Sequence, residues 1–166
     1  MDRLFSPWRS AYIESFKSPA EETGCVFCKA LAGSDDEASL VVWRGESAFV
    51  VMNKYPYNSG HMMVIPHRHT ADFQSLTLEE LSESMHLLQT AQRALDSMSK
   101  PQGYNIGANL GRVAGAGIDD HLHWHIVPRW NGDTNFLPTL ADVKLVSEDI
   151  AKQRHTLHDL FQTFLG

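Results

Sequence analysis

A chain of 166 residues with 43% hydrophobic side chains has the size and composition of one globular domain that forms a core without disulfides. Its formal net charge of −6, with histidine counted as neutral, argues against a groove for nucleic acid, because such grooves need a basic surface. The two cysteines and the lack of any apolar run of signal-peptide or membrane-span type predict a cytoplasmic protein that does not bind membranes. A small phosphorylated ligand remains possible, since a few local donors can bind it.

The first half of the chain predicts an N-terminal arm, a short helix, a hairpin and a further strand. The arm contains scattered aromatic residues, and the short helix starts with a Cys-x-x-Cys motif. The hairpin is a pair of β-rich runs separated by a turn. These elements cover, in order, residues 1–24, 25–33, 40–52 and 61–65.

A long amphipathic helix is predicted over residues 77–99. Thr77 and Glu80 fit a capping box, in which each side chain accepts a hydrogen bond from the backbone N–H of the other residue. Leucine and methionine then recur three, four and seven residues apart, which indicates one stripe facing a core. The residues of this stripe are Leu81, Met85, Leu88, Leu95 and Met98.

The second half predicts a strand over 104–110, a glycine-bearing loop over 111–120, a histidine-rich strand over 121–128 and a final helix near 148–164. Together the elements indicate an α+β fold: an antiparallel sheet of about five strands with one long helix and a C-terminal helix. We expect a single domain over 1–166. Its parts are an arm at 1–24, a core at 25–130 and a C-terminal extension at 131–166.

The segment from His121 to His125 alternates three imidazoles with large apolar residues. On a strand the imidazoles would line one face about 6 to 7 Å apart, whereas a helix would scatter them. Two functions fit such a row. The histidines could bind a catalytic zinc ion, or the middle imidazole could attack phosphorus while its neighbours donate hydrogen bonds. Gly111, Gly115 and Gly117 in the preceding loop favour the second function, because backbone N–H groups there could form an anion nest.

Cys25 and Cys28 have the spacing of half a zinc site, although two buried thiols at a helix start would look the same. Two further ligands would complete a tetrahedral site, and His67, His69 and His121 are the candidates. Three other histidines are predicted to lie at the surface: His86, His155 and His158.

The run His121-x-His123-x-His125 followed by Ile-Val-Pro-Arg resembles the motif of the histidine-triad (HIT) family. Asn53 and residues 60–69, Gly-His-Met-Met-Val-Ile-Pro-His-Arg-His, are similar to the family's Asn, its Gly-His strand and its Pro-x-x-His ending. Residues 103–136 look most like the bacterial branch related to diadenosine tetraphosphate phosphorylase. The resemblance covers roughly residues 25–130 and implies a HIT-like fold.

The resemblance implies nucleotidyl transfer or hydrolysis at the α-phosphate of dinucleoside polyphosphates, with phosphate or water as the acceptor. His123 would be the nucleophile that carries a covalent nucleotidyl group, and His125 would bind the phosphate. His121 would orient its neighbours. His61 would order the triad without contacting the substrate.

The resemblance also implies contacts to the substrate. Asn53 would contact the ribose, and Asn109 would bind phosphate or sugar. Many family hydrolases have Gly-Gln-Ser/Thr before the triad, where this chain has Ala-Gly-Ala-Gly-Ile-Asp-Asp over 114–120. Backbone N–H groups at Gly115 and Gly117 would then take the place of the missing side chains.

Zinc-carrying relatives imply a structural Zn²⁺ held by Cys25, Cys28, His69 and His121, with no organic cofactor. The family further implies a nucleotide ligand and a homodimer. Three other functions stay open: a purine-nucleoside phosphoramidate hydrolase, a non-catalytic nucleotide-binding protein, and a zinc hydrolase with its metal on all three triad histidines.

Overall fold

The structure is a computed structural model that describes residues 24–133 and 149–166. It has an α+β fold with a five-stranded antiparallel sheet in the order β1-β2-β3-β5-β4, which confirms the predicted fold class. The strands are β1 (Val41–Arg44), β2 (Ala48–Met52), β3 (Met62–Pro66), β4 (Gly103–Ala108) and β5 (Trp124–Arg129). The helices are α1 (Val26–Ala32), α2 (Leu78–Ser99) and α3 (Ile150–Leu165).

The limits of the described ranges bear on two predictions. Of the arm predicted over 1–24, only residue 24 lies within them. Of the C-terminal extension predicted over 131–166, residues 134–148 lie outside them. None of the helices within them is both long enough and apolar enough to cross a membrane.

The sheet is covered on both faces, which is why β2 and β3 are buried along their whole length. On one face, α2 and α3 contribute Leu87, Leu95, Leu157 and Phe161 to the larger core cluster. On the other face, Phe27 of α1 packs in a smaller cluster with residues of β1, β2 and β3. Burial on both faces accounts for the near-continuous apolar sequence of these strands.

The predicted start of α2 is confirmed, and one residue of its predicted stripe is wrong. Thr77 Oγ1 accepts a hydrogen bond from the Glu80 N–H at 3.2 Å, and Glu80 Oε2 accepts one from the Thr77 N–H at 2.8 Å. Met85 is 40% exposed, while Leu87 and Ala91 are buried. The helix therefore turns its 84-87-88-91 row toward the sheet, and Met85 lies just outside that row.

The histidine-rich strand begins three residues later than predicted, at Trp124. β3 pairs with β5 only from Val64–Trp124 to Met62–Ile126. Before that point, the Leu122 N–H donates to the Thr70 carbonyl at 2.7 Å instead of joining the sheet. His121 and His123 consequently lie in an extended segment that leads into β5.

The side chains of α3 provide donors to two carbonyls of the edge strand β1. Arg154 Nε donates to the Val41 carbonyl at 2.6 Å, and His158 Nδ1 donates to the Val42 carbonyl at 2.7 Å. His158 is therefore half-buried, and the prediction that it lies at the surface is wrong. At the opposite edge of the sheet, β4 exposes Ile106.

Glu80 connects the start of α2 to the segment that follows β3. Arg68 Nε and Nη2 donate to its two carboxylate oxygens at 2.9 and 2.7 Å. Hydrogen bonds from Arg68 and from the Thr77 backbone to the charged form lower the pKa of Glu80 to about 2. This ion pair thus anchors the segment that carries His69.

We expect Glu80→Gln to destabilise the fold more at pH 7 than at pH 3. The folded pKa lies below the ordinary value of 4.5, so the carboxylate stabilises the fold above about pH 4.5. That contribution is lost as the pH falls from 4.5 toward 2. Urea unfolding of both proteins at the two pH values measures the difference, with Glu37→Gln, at an exposed position before β1, as control. An equal loss of stability at both pH values would contradict the assignment.

Candidate active site

The three histidines of the triad lie where the start of β5 meets α1. His121 is fully buried, and His123 is 5% exposed. The Phe27 ring packs against both, with centroid distances of 5.6 and 5.0 Å. The rings of His123 and His125 lie 4.9 Å apart. The structure thus brings the predicted triad together in a site that is largely removed from water.

A backbone carbonyl determines which nitrogen of His123 is protonated. Its Nδ1 lies 2.9 Å from the carbonyl oxygen of His121. Because a carbonyl can only accept, Nδ1 carries the hydrogen and Nε2 keeps a free lone pair. Burial lowers the pKa of His123, which keeps the ring neutral at pH 7. A neutral imidazole with an unprotonated Nε2 is a competent nucleophile.

His125 has the opposite arrangement, which is imposed by the fully buried His61. The Tyr57 backbone N–H donates to His61 Nδ1 at 3.1 Å, so the His61 hydrogen is on Nε2. This Nε2–H donates to His125 Nδ1 at 3.0 Å, and the His125 hydrogen therefore lies on its own Nε2. Burial, followed by the neighbouring His123, lowers the pKa of His125 to about 4. His125 is thus a neutral hydrogen-bond donor.

The Nε2–H of His125 is buried and has no partner among the described residues. His125 also lines a cavity of about 370 Å³ on the surface of β4 and β5. Asn105, Asn109 and Arg129 line other parts of this cavity. A buried donor without a partner beside an open cavity indicates a site for an acceptor on a ligand, such as a phosphate oxygen.

Asn53 and Tyr57 lie beside His61, and only the first of them was predicted. Asn53 Nδ2 is 3.3 Å from His61 Nδ1. The Tyr57 ring packs on His61 and His125 with centroid distances of 4.7 and 6.0 Å. Sequence analysis missed Tyr57 because its decisive group is a backbone N–H, which leaves no trace in the residue pattern.

The predicted glycine loop lies next to the same cavity through Asn109. Asn109 Nδ2 donates to the Gly115 carbonyl at 3.5 Å. Gly115 has a φ of +96°, which favours glycine, and its N–H donates to the Arg112 carbonyl at 2.9 Å. That N–H is therefore engaged within the loop. Gly117 is half-buried two residues further on, and the contribution of both glycines to anion binding stays a prediction.

Four ligand atoms of the predicted metal set lie within 4.8 Å of one another, from Cys25, Cys28, His69 and His121. His121 Nδ1 is 3.3 and 3.6 Å from the two Sγ atoms, and His69 Nδ1 is 3.4 Å from Cys28 Sγ. A tetrahedral zinc site with ordinary bond lengths has S···N distances of about 3.6 Å. The cluster could therefore bind a metal ion. Of the three candidate histidines, His69 and His121 lie in the cluster and His67 does not.

Neighbouring groups orient both imidazoles of this Cys-His cluster. His121 Nε2 donates to the Pro66 carbonyl at 2.9 Å, which leaves Nδ1 free to face the cysteines. His69 Nε2 faces Asp120 Oδ2 at 3.7 Å. Because the free nitrogen of His121 points to the cysteines, it cannot share one metal ion with His123 and His125. The geometry argues against a zinc hydrolase based on all three triad histidines.

Known proteins are similar to this chain over the region that contains the site. A family model described as "HIT domain" matches residues 35–132. The AP-4-A phosphorylase of Mycobacterium tuberculosis is 38% identical over 166 residues, which span 95% of this chain and 83% of that protein. The adenosine 5'-monophosphoramidase of Schizosaccharomyces pombe is 28% identical over 136 residues, which span 78% of this chain and 97% of that protein.

Among solved structures, a zinc-bound histidine triad family protein from Mycobacterium smegmatis is similar, with a TM-score of 0.68 and 25% identity. The match covers 85% of this chain and 95% of that one. Since the family model matches more than half of the residues and the triad lies within the match, the chain belongs to the HIT family.

Proposed function

We propose that this protein is a nucleotidyl-transferring enzyme that cleaves dinucleoside polyphosphates, such as diadenosine tetraphosphate, at the α-phosphorus. One observation carries the proposal: two adjacent imidazoles have opposite roles, with a lone pair on His123 Nε2 and a hydrogen on His125 Nε2. A nucleophile beside a donor is what attack on a phosphate requires. The 38% identity to an AP-4-A phosphorylase supports the same substrate class.

In the first step, the His123 Nε2 lone pair forms a bond to the α-phosphorus while the P–O bond to the leaving nucleotide breaks. The leaving oxygen takes the electron pair of that bond. His125 Nε2–H donates to a phosphate oxygen as negative charge develops there. The His121 carbonyl, which accepts from His123 Nδ1, stabilises the positive charge that develops on the attacking ring.

In the second step, an acceptor oxygen attacks the same phosphorus, and the electron pair of the breaking P–N bond returns to His123 Nε2. His123 is neutral again with its hydrogen on Nδ1, and a water acceptor releases its proton to solvent. Inorganic phosphate as acceptor gives ADP, and water gives AMP. We favour phosphate, because the AP-4-A phosphorylase matches over nearly the whole chain. A phosphoramidate hydrolase is the second candidate, supported by the 28% identity to an adenosine 5'-monophosphoramidase.

We infer the substrate contacts from the family resemblance and from the residues that lie near His61 and His125. Asn53, beside His61, would contact the ribose. Asn109 and the loop with Gly115 and Gly117 would provide polar contacts to the phosphates, because Asn109 lines the His125 cavity. The homodimer implied by the family stays a prediction.

We further propose that the Cys-His cluster holds a structural zinc ion. Four protein ligands would close the coordination sphere, so the ion would stabilise the fold instead of taking part in the reaction. His121 would then be fixed at its side chain by the metal, while its carbonyl accepts from His123 Nδ1. The support is the donor set and its spacing.

Replacing His123 by Ala should abolish covalent labelling and lower turnover at least about a thousandfold, because no nucleophile remains. The measurement uses diadenosine tetraphosphate labelled at the α-phosphate, with an acid-free quench that preserves a phosphoramidate. His86→Ala, on the exposed face of α2, is the matched control and should retain label and turnover. A His123→Ala protein with full activity would refute the assignment of the nucleophile.

Product analysis should distinguish the acceptors. With diadenosine tetraphosphate we expect ATP and ADP in phosphate buffer, and ATP and AMP where water alone is available. Two ADP molecules formed without phosphate would mean attack at an inner phosphorus, which the proposal does not allow. Faster turnover of an adenosine phosphoramidate than of the dinucleotide would select the second candidate function instead.

Cys28→Ser should remove the bound zinc and lower the thermal midpoint by more than about 5 °C, because metal binding to the folded state contributes directly to stability. Metal content of the purified chains and thermal unfolding provide the two readouts. His67→Ala, next to the cluster in sequence but outside it, should keep the metal. One equivalent of zinc retained by Cys28→Ser would contradict the ligand set.

A further inference from the structure

The turn between β2 and β3, residues 57–60, carries the backbone groups that hold His61. The Tyr57 N–H donates to His61 Nδ1 at 3.1 Å, and the His61 N–H donates to the Asn58 carbonyl at 3.1 Å. Together with Asn53 Nδ2, which lies 3.3 Å from the same nitrogen, the first of these bonds fixes the hydrogen of His61 on Nε2, and thereby the hydrogen of His125. The protonation pattern of the site thus depends on the shape of the 57–60 turn.

Two sides of the 57–60 turn are held by the sheet and by α2. Gly60 has a φ of +79°, and a Cβ atom there would lie 2.8 Å from Leu95 Cδ2 of α2. Asn58 Nδ2 donates to the Pro128 carbonyl at 2.9 Å and to Asp133 Oδ2 at 2.8 Å. Close packing and hydrogen bonds therefore fix the turn on these sides.

The third side is held by one side chain of α3. Gln153 is 5% exposed, and its Oε1 accepts from the Gly60 N–H at 3.2 Å while its Nε2 donates to Ser59 Oγ at 2.7 Å. Both ends of one buried amide thus bind adjacent residues of the turn. Asp149 caps the start of α3 by accepting from two backbone N–H groups, which fixes the helical turn that bears Gln153.

We propose that Gln153 is a positioning residue that holds the 57–60 turn and, through His61, keeps the Nε2–H of His125 directed at the substrate phosphate. Through Gln153, the C-terminal helix α3 helps to position the active-site histidines. This helix lies beyond residues 35–132, the part of the chain that matches the family model. The predicted effect of Gln153 on turnover rests on the proposed function. Its predicted effect on the protonation of His61 and His125 does not.

Loss of the Gln153 contacts has a specific chemical consequence. If the turn and the His61 ring move so that neither the Tyr57 N–H nor Asn53 Nδ2 donates to His61 Nδ1, His61 can carry its hydrogen on Nδ1 instead. His125 would then donate from Nδ1 to the bare Nε2 of His61. Its own Nε2 would present a lone pair to the phosphate oxygen, so a donor would become a repulsive acceptor.

The test is Gln153→Leu in the full chain loaded with zinc. Nitrogen-15 NMR of the imidazole rings should show His61 and His125 protonated at Nε2 in the wild type, and a mixture with the Nδ1-protonated form in the variant. With diadenosine tetraphosphate as substrate, kcat should fall about tenfold to a hundredfold, while KM changes less than about twofold. The reason is that the His125 donor acts mainly on the charge that develops in the transition state, and the other phosphate and sugar contacts are kept.

Three further variants control the comparison. Gln153→Glu keeps an oxygen for the Gly60 N–H and can accept from the Ser59 hydroxyl, so it should restore most of the wild-type spectrum. Gln162→Leu makes the same change at an exposed position of α3 and should leave the His61 and His125 signals and kcat unchanged. Only the His158 signals should shift, because Gln162 Nε2 donates to His158 Nε2 at 3.1 Å. Ser59→Ala removes the hydrogen bond between Gln153 and Ser59. If Gln153→Leu does not fold, Ser59→Ala takes its place in the test.

An unchanged imidazole spectrum in Gln153→Leu, or in Ser59→Ala where it stands in, overturns the proposal. A changed spectrum with unchanged kcat also overturns it, because the donor would then be irrelevant to turnover. If the wild type does not turn over dinucleotides at all, the proposed function fails. The imidazole spectra still decide whether Gln153 positions His61.

Discussion

Two backbone groups decide which nitrogen of each active-site histidine carries its hydrogen, and the chemistry of the site depends on that choice. The His121 carbonyl leaves a lone pair on His123 Nε2, and the Tyr57 N–H leads, through His61, to a hydrogen on His125 Nε2. Peptide groups do not titrate in the physiological range, so the pattern persists wherever the rings are neutral. Burial extends that range, because it lowers the pKa of both His123 and His125.

Neutral imidazoles also bear on how the proposed polyphosphate substrate would be bound. The chain has a net charge of −6, and among the described residues the arginine that lines the His125 cavity, Arg129, is paired with Asp133 at 2.6 Å. Under the proposed function, directed N–H donors close to the phosphates would contribute to binding alongside any positive field. His121 adds a further constraint, since its side chain faces the Cys-His cluster while its carbonyl orients His123.

The sequence predicted those features whose interacting residues lie close together along the chain. The capping box at Thr77 and Glu80 was found because its two partners lie three residues apart, and the triad was found because its alternation is visible within five residues. The choice of His69 over His67 needed the family resemblance. The prediction that Met85 faces the core was wrong, because spacing alone does not fix which side of an amphipathic helix is most deeply buried.

Contacts between distant parts of the chain could not be predicted in this way. The start of β5 depends on where β3 stops pairing with it, and the burial of His158 depends on a carbonyl of β1. Gln153 lies more than 90 residues from the turn that it binds, and the decisive donor of Tyr57 is a backbone group. Neither leaves a pattern in the sequence.

The stereochemical course at the α-phosphorus tests the central claim most directly. A dinucleoside polyphosphate made chiral at this phosphorus by sulfur and oxygen isotope substitution would be converted with phosphate or water as acceptor. Attack by His123 followed by attack of the acceptor inverts the phosphorus twice, so the account predicts overall retention of configuration. Overall inversion would mean a single direct displacement by the acceptor and would contradict a covalent nucleotidyl-His123 intermediate.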